Sequence, residues 1–270
     1  MPDPTRDATT ITGQTRLVAV LGDPVAQVRA PALLNRLFAA RGVDIVVIPA
    51  HVRPDDLGTV VRGLQATANV VGLLVTVPHK VNVLRYADVR SAAAELAGGA
   101  NALRRLDDGT WHADNFDGAG FVAGLVEAGH RPEGRHVVLV GAGGAGAAIA
   151  PALLGAGVDR LTLSDVDDTR VKEVAERLSP HWPGRIFTGT GLESADIVVN
   201  ATPLGMGPDD PLPFDPAESR PGALVADIVM KPRETRLLRE AAGLGRPVLP
   251  GEPMLRNQMD LYLGYFAPGA

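Results

Sequence analysis

The feature that most constrains this chain is the apolar run Val137-Val138-Leu139-Val140, which passes directly into Gly141-Ala142-Gly143-Gly144-Ala145-Gly146 and then into an alanine-rich stretch. A buried strand, a tight turn and a helix in that order form the opening of a dinucleotide-binding βαβ unit. Gly141 permits the turn, Gly143 lets a pyrophosphate approach the backbone, and Gly146 lets the helix lie close to the strand. The amides at the helix start, Gly141 and Ala142 through Gly143, Gly144 and Ala145, lie at the positive end of the helix dipole and suit phosphate. The bland reading is a compact turn without a ligand. The strand before it and the helix after it favour the nucleotide.

The next strand, Leu161-Thr162-Leu163-Ser164, ends at Asp165, 24 positions after Gly141. A carboxylate there accepts hydrogen bonds from the ribose hydroxyls of NAD and repels the additional phosphate of NADP. No arginine follows immediately, and Asp167 and Asp168 deepen the negative field, so the expected cofactor is NAD. The competing role is helix capping, for which Asp168, just before a helix expected from Thr169, is better placed than Asp165.

Short β-branched runs alternate with helical patterns along the rest of the chain, which predicts an α/β fold with largely parallel sheets. The first series gives strands at Leu17–Leu21, Asp44–Pro49 and Val70–Val77, helices near Ala30–Arg41, Asp55–Gln65 and Ser91–Ala97, and an extended segment Asn101–Leu106 before the turn Asp107-Asp108-Gly109. The second series opens with a helix around Gly118–Ala128. It continues through the glycine turn with a helix over Gly144–Leu154, then Thr169–Leu178, strands Ile197–Asn200 and Ala223–Ile228, helix Glu234–Ala242 and strand Val248–Leu249. A last apolar helical stretch covers Met254–Phe266, and the pattern alone lets it pack on either lobe. Met1–Gln14 is polar and without period, and reads as a frayed leader.

Composition narrows the function classes. A chain of 270 residues, 46% hydrophobic and 21% charged, is neither disordered, coiled-coil nor collagenous. Its apolar runs fall short of the roughly 20 residues of a membrane helix, and no secretory signal pattern precedes them. The absence of cysteine removes disulfides and thiolate chemistry and fits a cytoplasmic setting. A formal charge of -5 argues against nucleic acid as a partner. The six histidines show no metal spacing, so no metal is expected; His79 either faces the site or packs. A small-molecule enzyme, monomeric or homodimeric, is what remains.

Several segments then read together: Gly22-Asp23-Pro24-Val25-Ala26, Val75-Thr76-Val77-Pro78-His79-Lys80, Gly99-Ala100-Asn101-Ala102, Asp114-Asn115-Phe116-Asp117-Gly118, the glycine turn, Asn200-Ala201-Thr202-Pro203-Leu204-Gly205-Met206 and Gly251-Glu252-Pro253-Met254-Leu255-Arg256-Asn257-Gln258. In this order, from about Val18 to Gln258, they resemble the shikimate dehydrogenase family. The resemblance implies an α/β substrate-binding lobe over 15–117, completed by a C-terminal helix at 252–270, and a Rossmann lobe over 118–251, with the active site between them. It implies a catalytic pair, Lys80 and Asp117, and substrate contacts at Thr76, Asn101 and Gln258. Along the cofactor it places Asn200, Thr202, Pro203, Met206, Ile228, Val229, Gly251 and Met254. The chemistry agrees: oxidising a secondary alcohol needs a hydride acceptor and a group to take the hydroxyl proton. Lys80 lies just beyond a strand end, where α/β folds place ligands, and a lysine held by a carboxylate can relay that proton. Asp117 also suits the N-cap of the helix expected from Gly118.

The departures from the family lie on the substrate side. The two serines that hold the shikimate carboxylate are replaced by Val28 and Ala30, an asparagine by Leu74, a threonine by Phe116, and a tyrosine by Met230. Five changes from polar to apolar predict a remodelled pocket. Two lost hydrogen bonds to a carboxylate, at about 1.5–3 kcal/mol each, amount to roughly two to four decades of affinity. Arg29, Arg256 or backbone amides are the available compensators, Arg29 by bidentate contact. The basic NADP-associated motif is replaced by Ser164-Asp165-Val166. The expected activity is reversible, NAD-dependent oxidation of a shikimate- or quinate-like cyclic compound, inefficient on shikimate itself. The alternatives are an ordinary shikimate or quinate dehydrogenase, a sensor that binds NAD without turnover, and, less well matched, a folate-linked dehydrogenase.

Overall fold

The computed structural model describes residues 11–269. Of the leader expected over 1–14, residues 1–10 lie outside this range and 11–14 form an exposed segment ending in a turn. In chain order the elements are β1 (Arg16–Gly22), α1 (Ala30–Ala40), β2 (Ile45–His51), α2 (Leu57–Ala66), β3 (Val70–Val75), β4 (Val89–Arg90), α3 (Ala92–Ala97), β5 (Ala102–Arg105), β6 (Trp111–Asp114) and α4 (Asp117–Glu127). There follow β7 (His136–Val140), α5 (Gly146–Gly155), β8 (Arg160–Ser164), α6 (Asp168–Leu178), β9 (Ile186–Thr188), β10 (Ile197–Asn200), β11 (Leu224–Asp227), α7 (Arg236–Gly243), β12 (Val248–Leu249), α8 (Glu252–Arg256) and α9 (Met259–Phe266).

The chain divides into two units. The first takes the chain up to Glu95, then Gly99–Phe116 and the stretch from Met259; the second takes Leu96–Gly98 and Asp117–Gln258. The first is built on a six-stranded sheet ordered β2-β1-β3-β5-β6-β4. β1 pairs in parallel with both β2 and β3, while β5 is antiparallel to β3 and β6. Alternation in β1 shows why both faces need cover. Val18 and Val20 point into a cluster with Leu34 and Phe38 of α1 and Tyr262, Leu263 and Phe266 of α9. Ala19 and Leu21 point the other way, into a cluster with Leu57 and Val61 of α2. A strand buried on both faces reads as a continuous apolar run, as Leu17–Leu21 does. Each such side chain contributes about 1.5–3 kcal/mol by leaving water.

The second unit carries a six-stranded, all-parallel sheet ordered β12-β11-β10-β7-β8-β9. One face, with Val137, Leu139, Leu161, Leu163, Ile197 and Val199, packs on α4, α5 and α6. The other, with Val138, Val198 and Val225, packs on Leu237, Leu238 and Ala241 of α7.

Four expectations need correction. The final apolar stretch is two helices: α8 packs on α4 in the second unit, and α9 covers the first unit's sheet. Residues 252–258 therefore group with the second unit rather than the first. The break falls at Asn257, whose side-chain amide donates to the Glu127 carboxylate and to the Pro253 carbonyl at 2.9 Å each. β3 leaves the sheet at Val75, after which the Thr76 amide makes one last bond to the Leu21 carbonyl at 2.9 Å. The α5 helix starts at Gly146, two residues later than expected, because the glycine turn uses Gly144 and Ala145. The α6 N-cap is Asp167, whose carboxylate accepts from the Thr169 amide at 3.0 Å, and Asp168 is already inside the first turn.

Candidate active site

In the second unit the strand order reverses at β7, with β8 on one side and β10 on the other. Open α/β sheets bind ligands at the carboxyl ends of strands at such a switch point. The Gly141 amide donates to the Ser164 carbonyl and the Ala201 amide to the Val140 carbonyl, each at 2.7 Å, so the three strand ends are tied together around the turn. Gly141 holds a φ of 107°, in the region where a side chain is strained, and a Cβ there would lie 2.7 Å from the Ala201 backbone. A Cβ on Gly146 would collide with the Gly141 carbonyl. Beside Gly143, where the expected pyrophosphate approaches, nothing lies within 4 Å of an added Cβ. Gly141 and Gly146 thus stand where a side chain does not fit, and the space beside Gly143 is open.

Asp165 stands just past the end of β8. One carboxylate oxygen accepts from the Ala142 amide at 2.7 Å and the other from the Asp167 amide at 3.0 Å. The residue therefore braces the glycine turn as well as presenting negative charge beside it. Val166, next in sequence, is fully exposed.

The ends of β10 and β11 carry a buried polar network that the sequence reading touched only at its edge. Asn200 is 0% exposed. Its amide donates to the Leu204 carbonyl and to Asp227 at 3.0 Å each, and its oxygen accepts from the Thr202 amide and hydroxyl at 3.0 and 2.7 Å. Asp227 also accepts from the Val229 amide at 2.9 Å and the Thr235 hydroxyl at 2.6 Å. Burial pushes its carboxyl above the ordinary carboxylate value, against the pull of these hydrogen bonds. The network shapes the loops bearing Thr202, Pro203 and Met206 and those bearing Ile228 and Val229. Gly251 backs onto the Ile228 and Val229 carbonyls, and Met254 packs on the second unit's core. Asp227 and Thr235 are the residues missed; an aspartate closing the apolar run Leu224-Val225-Ala226 was the available signal.

In the first unit, Thr76, His79 and Lys80 follow β3 in one turn, with the His79 amide donating to the Thr76 carbonyl at 2.9 Å. His79 is 1% exposed and its Nε2 lies 2.7 Å from the Val52 carbonyl, so it packs and holds the turn to the end of β2. Lys80 is half-buried, and its carbonyl accepts from the Ala100 amide at 2.8 Å. The neighbouring Asp114-Asn115-Phe116 turn is equally constrained. Asp114 accepts from the Asn115 amide at 2.7 Å and the Ser91 hydroxyl at 2.5 Å, and the Asn115 side chain donates to the Gly99 carbonyl at 2.9 Å. Asn101, 3% exposed, accepts from the Phe116 amide and donates to the Tyr262 hydroxyl, each at 3.0 Å.

Four of the five apolar replacements meet in one place. Val28, Ala30, Leu74 and Phe116 all belong to the cluster formed by β1, β3, α1 and α9. Phe116 lies edge-on to the Tyr262 and Tyr265 rings at 5.3 and 5.2 Å. Met230 is in the second unit, outside that cluster. Of the suggested compensators, Arg256 donates to Glu127 at 2.7 Å and lies 3.5 Å from Glu252, within the second unit. Arg29 is exposed at the N-cap position of α1. Asp117 and Gln258 belong to the second unit and are 5% and 3% exposed. Asp117 is the first residue of α4 rather than a cap outside it, and a carboxylate there is favoured by the helix dipole. Lys80, Thr76 and Asn101 thus come from one unit, Asp117 and Gln258 from the other.

Among the described residues no cluster of three His, Cys, Asp or Glu groups offers a metal site, and no helix is long and apolar enough to cross a membrane.

Residues 20–103 match the family described as the shikimate dehydrogenase substrate binding domain. A shikimate dehydrogenase (NADP(+)) of Rubrobacter xylanophilus is 41% identical over 255 residues, covering 92% of this chain and 89% of that protein. The quinate dehydrogenase of Corynebacterium glutamicum, solved in complex with NAD, superposes with a TM-score of 0.84 at 30% identity over 94% of each chain. The ligand-free 5-ketofructose reductase of a Gluconobacter species superposes with a TM-score of 0.83 at 29% identity, over 94% of this chain and 93% of that one.

Proposed function

The chain belongs to the shikimate dehydrogenase family, and from that premise we propose that it transfers hydride reversibly between NAD and a hydroxyl or keto group of a shikimate- or quinate-like cyclic compound, with shikimate itself a poor substrate. The gathering of Val28, Ala30, Leu74 and Phe116 in one apolar cluster carries the substrate reading. Apolar atoms where a carboxylate is to be received leave its charge without partners, and an unpaired buried charge is strongly disfavoured. The relation to a 5-ketofructose reductase supports the reading, because that protein acts on a compound without a carboxylate. The cofactor reading rests on Asp165 beside the glycine turn and on the apolar Val166, which offers a 2′-phosphate no cation.

In this reading Lys80 orients the substrate hydroxyl and takes its proton as the alcohol is oxidised, returning it on reduction. Asp117 holds the ammonium and compensates its charge. Thr76, Asn101 and Gln258 offer short polar groups to ring hydroxyls and set which carbon is presented. The glycine turn and the loops after β10 and β11 hold the dinucleotide, which when bound supplies the hydride acceptor.

The test is kcat/KM of the purified protein with NAD and with NADP, against shikimate and quinate. Higher values with NAD and a value for shikimate below about 10⁴ M⁻¹ s⁻¹, the low end of ordinary enzymes, are expected. Efficient NADP-linked shikimate oxidation overturns both the pocket and the cofactor reading. That outcome is what the 41% identical relative favours, and Arg29 would then be the carboxylate receptor. Arg29→Ala separates the two: it lowers shikimate turnover at least tenfold if the guanidinium binds a carboxylate, and leaves it unchanged otherwise.

A further inference from the structure

Tyr262 lies on α9, outside every motif that carries the family resemblance, yet it is joined to the substrate-side residues in three ways. Its hydroxyl accepts from the Asn101 side-chain amide at 3.0 Å. Its ring meets Phe116 edge-on at 5.3 Å, with an interplanar angle of 85°. It shares one apolar cluster with Val28, Ala30 and Leu74 and is itself 4% exposed.

The Asn101 contact has a defined polarity. The Phe116 backbone N–H lies 3.0 Å from Asn101 Oδ1, and an N–H donor needs an oxygen there. The amide nitrogen is therefore the end that faces Tyr262. Tyr262, Asn101 and Phe116 thus form a closed triangle in which the phenol sets the plane of the amide, the amide holds the turn leading to Asp117, and the two rings pack on each other. The stack of Tyr262 on Phe266, at 6.3 Å and 23°, anchors the phenol from behind.

We propose that Tyr262 is a positioning and specificity-determining residue. It fixes the Asn101 amide for a ring hydroxyl, and with Val28, Ala30, Leu74 and Phe116 it forms an apolar wall that selects a hydroxylated ring bearing no carboxylate on that side. The proposal rests on the functional reading above and deepens it. Tyrosine suits both duties, since one rigid side chain supplies an apolar face and a polar tip. A phenylalanine would keep the wall and remove the phenol's hold on the amide nitrogen; an alanine would open the wall as well.

The test uses NADH-linked reduction of two probes, 2-hydroxycyclohexanone, which has no carboxylate, and 3-dehydroshikimate, which has one. Wild type, Tyr262→Phe, Asn101→Ala and the double variant are compared, with Tyr262→Ala as a fifth protein. Tyr262→Phe is expected to raise KM for 2-hydroxycyclohexanone roughly three- to tenfold, the worth of one neutral hydrogen bond, with kcat within about twofold. In the Asn101→Ala background the same change is expected to add less than about twofold, because the phenol acts through the amide. Tyr262→Ala shifts the ratio of kcat/KM toward 3-dehydroshikimate by about tenfold. An unchanged KM in Tyr262→Phe overturns the proposal, whatever happens to Tm, and so do effects of Tyr262→Phe and Asn101→Ala that simply multiply. If Tyr262→Phe does not fold, Asn101→Ala alone must raise KM for 2-hydroxycyclohexanone at least threefold, and a smaller change overturns the proposal. Wild type that reduces neither probe overturns the functional reading first and this proposal with it.

Discussion

The two units present their candidate functional residues in different materials. In the second unit the turn after β7 is made of main chain: amides, a left-handed glycine, and contacts so close that Gly141 and Gly146 admit no Cβ. In the first unit the candidate residues are side chains: Val28 just ahead of α1, Ala30 at its start, Leu74 on β3, Phe116 in the turn after β6 and Asn101 just ahead of β5. A site made of backbone dictates its own sequence, because only one residue type survives the geometry. A site made of side chains can be rewritten one position at a time while the sheet beneath it stays the same. That difference is why the cofactor class is easier to read from such a chain than the substrate.

The comparison breaks most visibly at Lys80, the residue proposed to handle the proton. Lys80→Met is expected to lower kcat by about 10²–10⁴-fold, the usual contribution of a positioned acid–base group, while the dinucleotide Kd, followed by NADH fluorescence, stays within about twofold. Loss of cofactor binding in this variant would contradict a role for Lys80 confined to proton handling. Next in size is the rewriting of the side-chain half. Val28→Ser combined with Ala30→Ser should raise kcat/KM for shikimate by about 100-fold, the lower bound for two hydrogen bonds to a carboxylate. A gain below about threefold would show that the apolar wall is not what limits shikimate.

Smaller changes sharpen the main-chain half. Asp165→Asn keeps an acceptor for the Ala142 amide and removes the charge. The NAD-to-NADP preference, measured as a ratio of kcat/KM, should fall roughly tenfold, in line with one charge-assisted contact. The smallest effect is on stability. Burial holds the Asp227 carboxyl above its ordinary value of 3.8, so the folded protein keeps that proton to higher pH than the unfolded chain does. The stability this residue contributes is complete below the ordinary value and is lost as pH rises through the folded one. Asp227→Asn escapes that loss. Calorimetry from pH 4 to pH 7 should show the variant gaining on wild type in Tm as pH rises; a gap that narrows with pH would contradict the assignment.

What the sequence revealed follows the same division. β1, β3, β7 and β10 were legible because strands buried on both faces are unbroken apolar runs. The glycine turn was legible because its geometry admits few spellings. β4, β6 and β9 were not, since two- to four-residue strands such as Trp111–Asp114 mix buried and half-buried positions and carry no periodic signal. The division of the last helix was hidden because Met254, Met259 and Tyr262 continue one apolar pattern while serving two cores. Asp227 resembled a polar strand end until Thr235, eight residues on, closed over it. The choice among Asp165, Asp167 and Asp168 as the cap turned on which carboxylate reaches the Thr169 amide, a matter of ångströms that composition does not carry.

The placement of α9 has a consequence for how the polypeptide is made. Phe266 lies against Gly72 at the centre of the first unit's sheet, and Tyr262 and Leu263 seal the face that Val18 and Val20 present. Those strands leave the ribosome early, whereas their lid is translated only after the whole second unit. Through most of synthesis the nascent chain therefore displays an oily, half-covered sheet, a state in which unfinished domains are prone to aggregate. The opening segment of the chain is the last to acquire its finished interior.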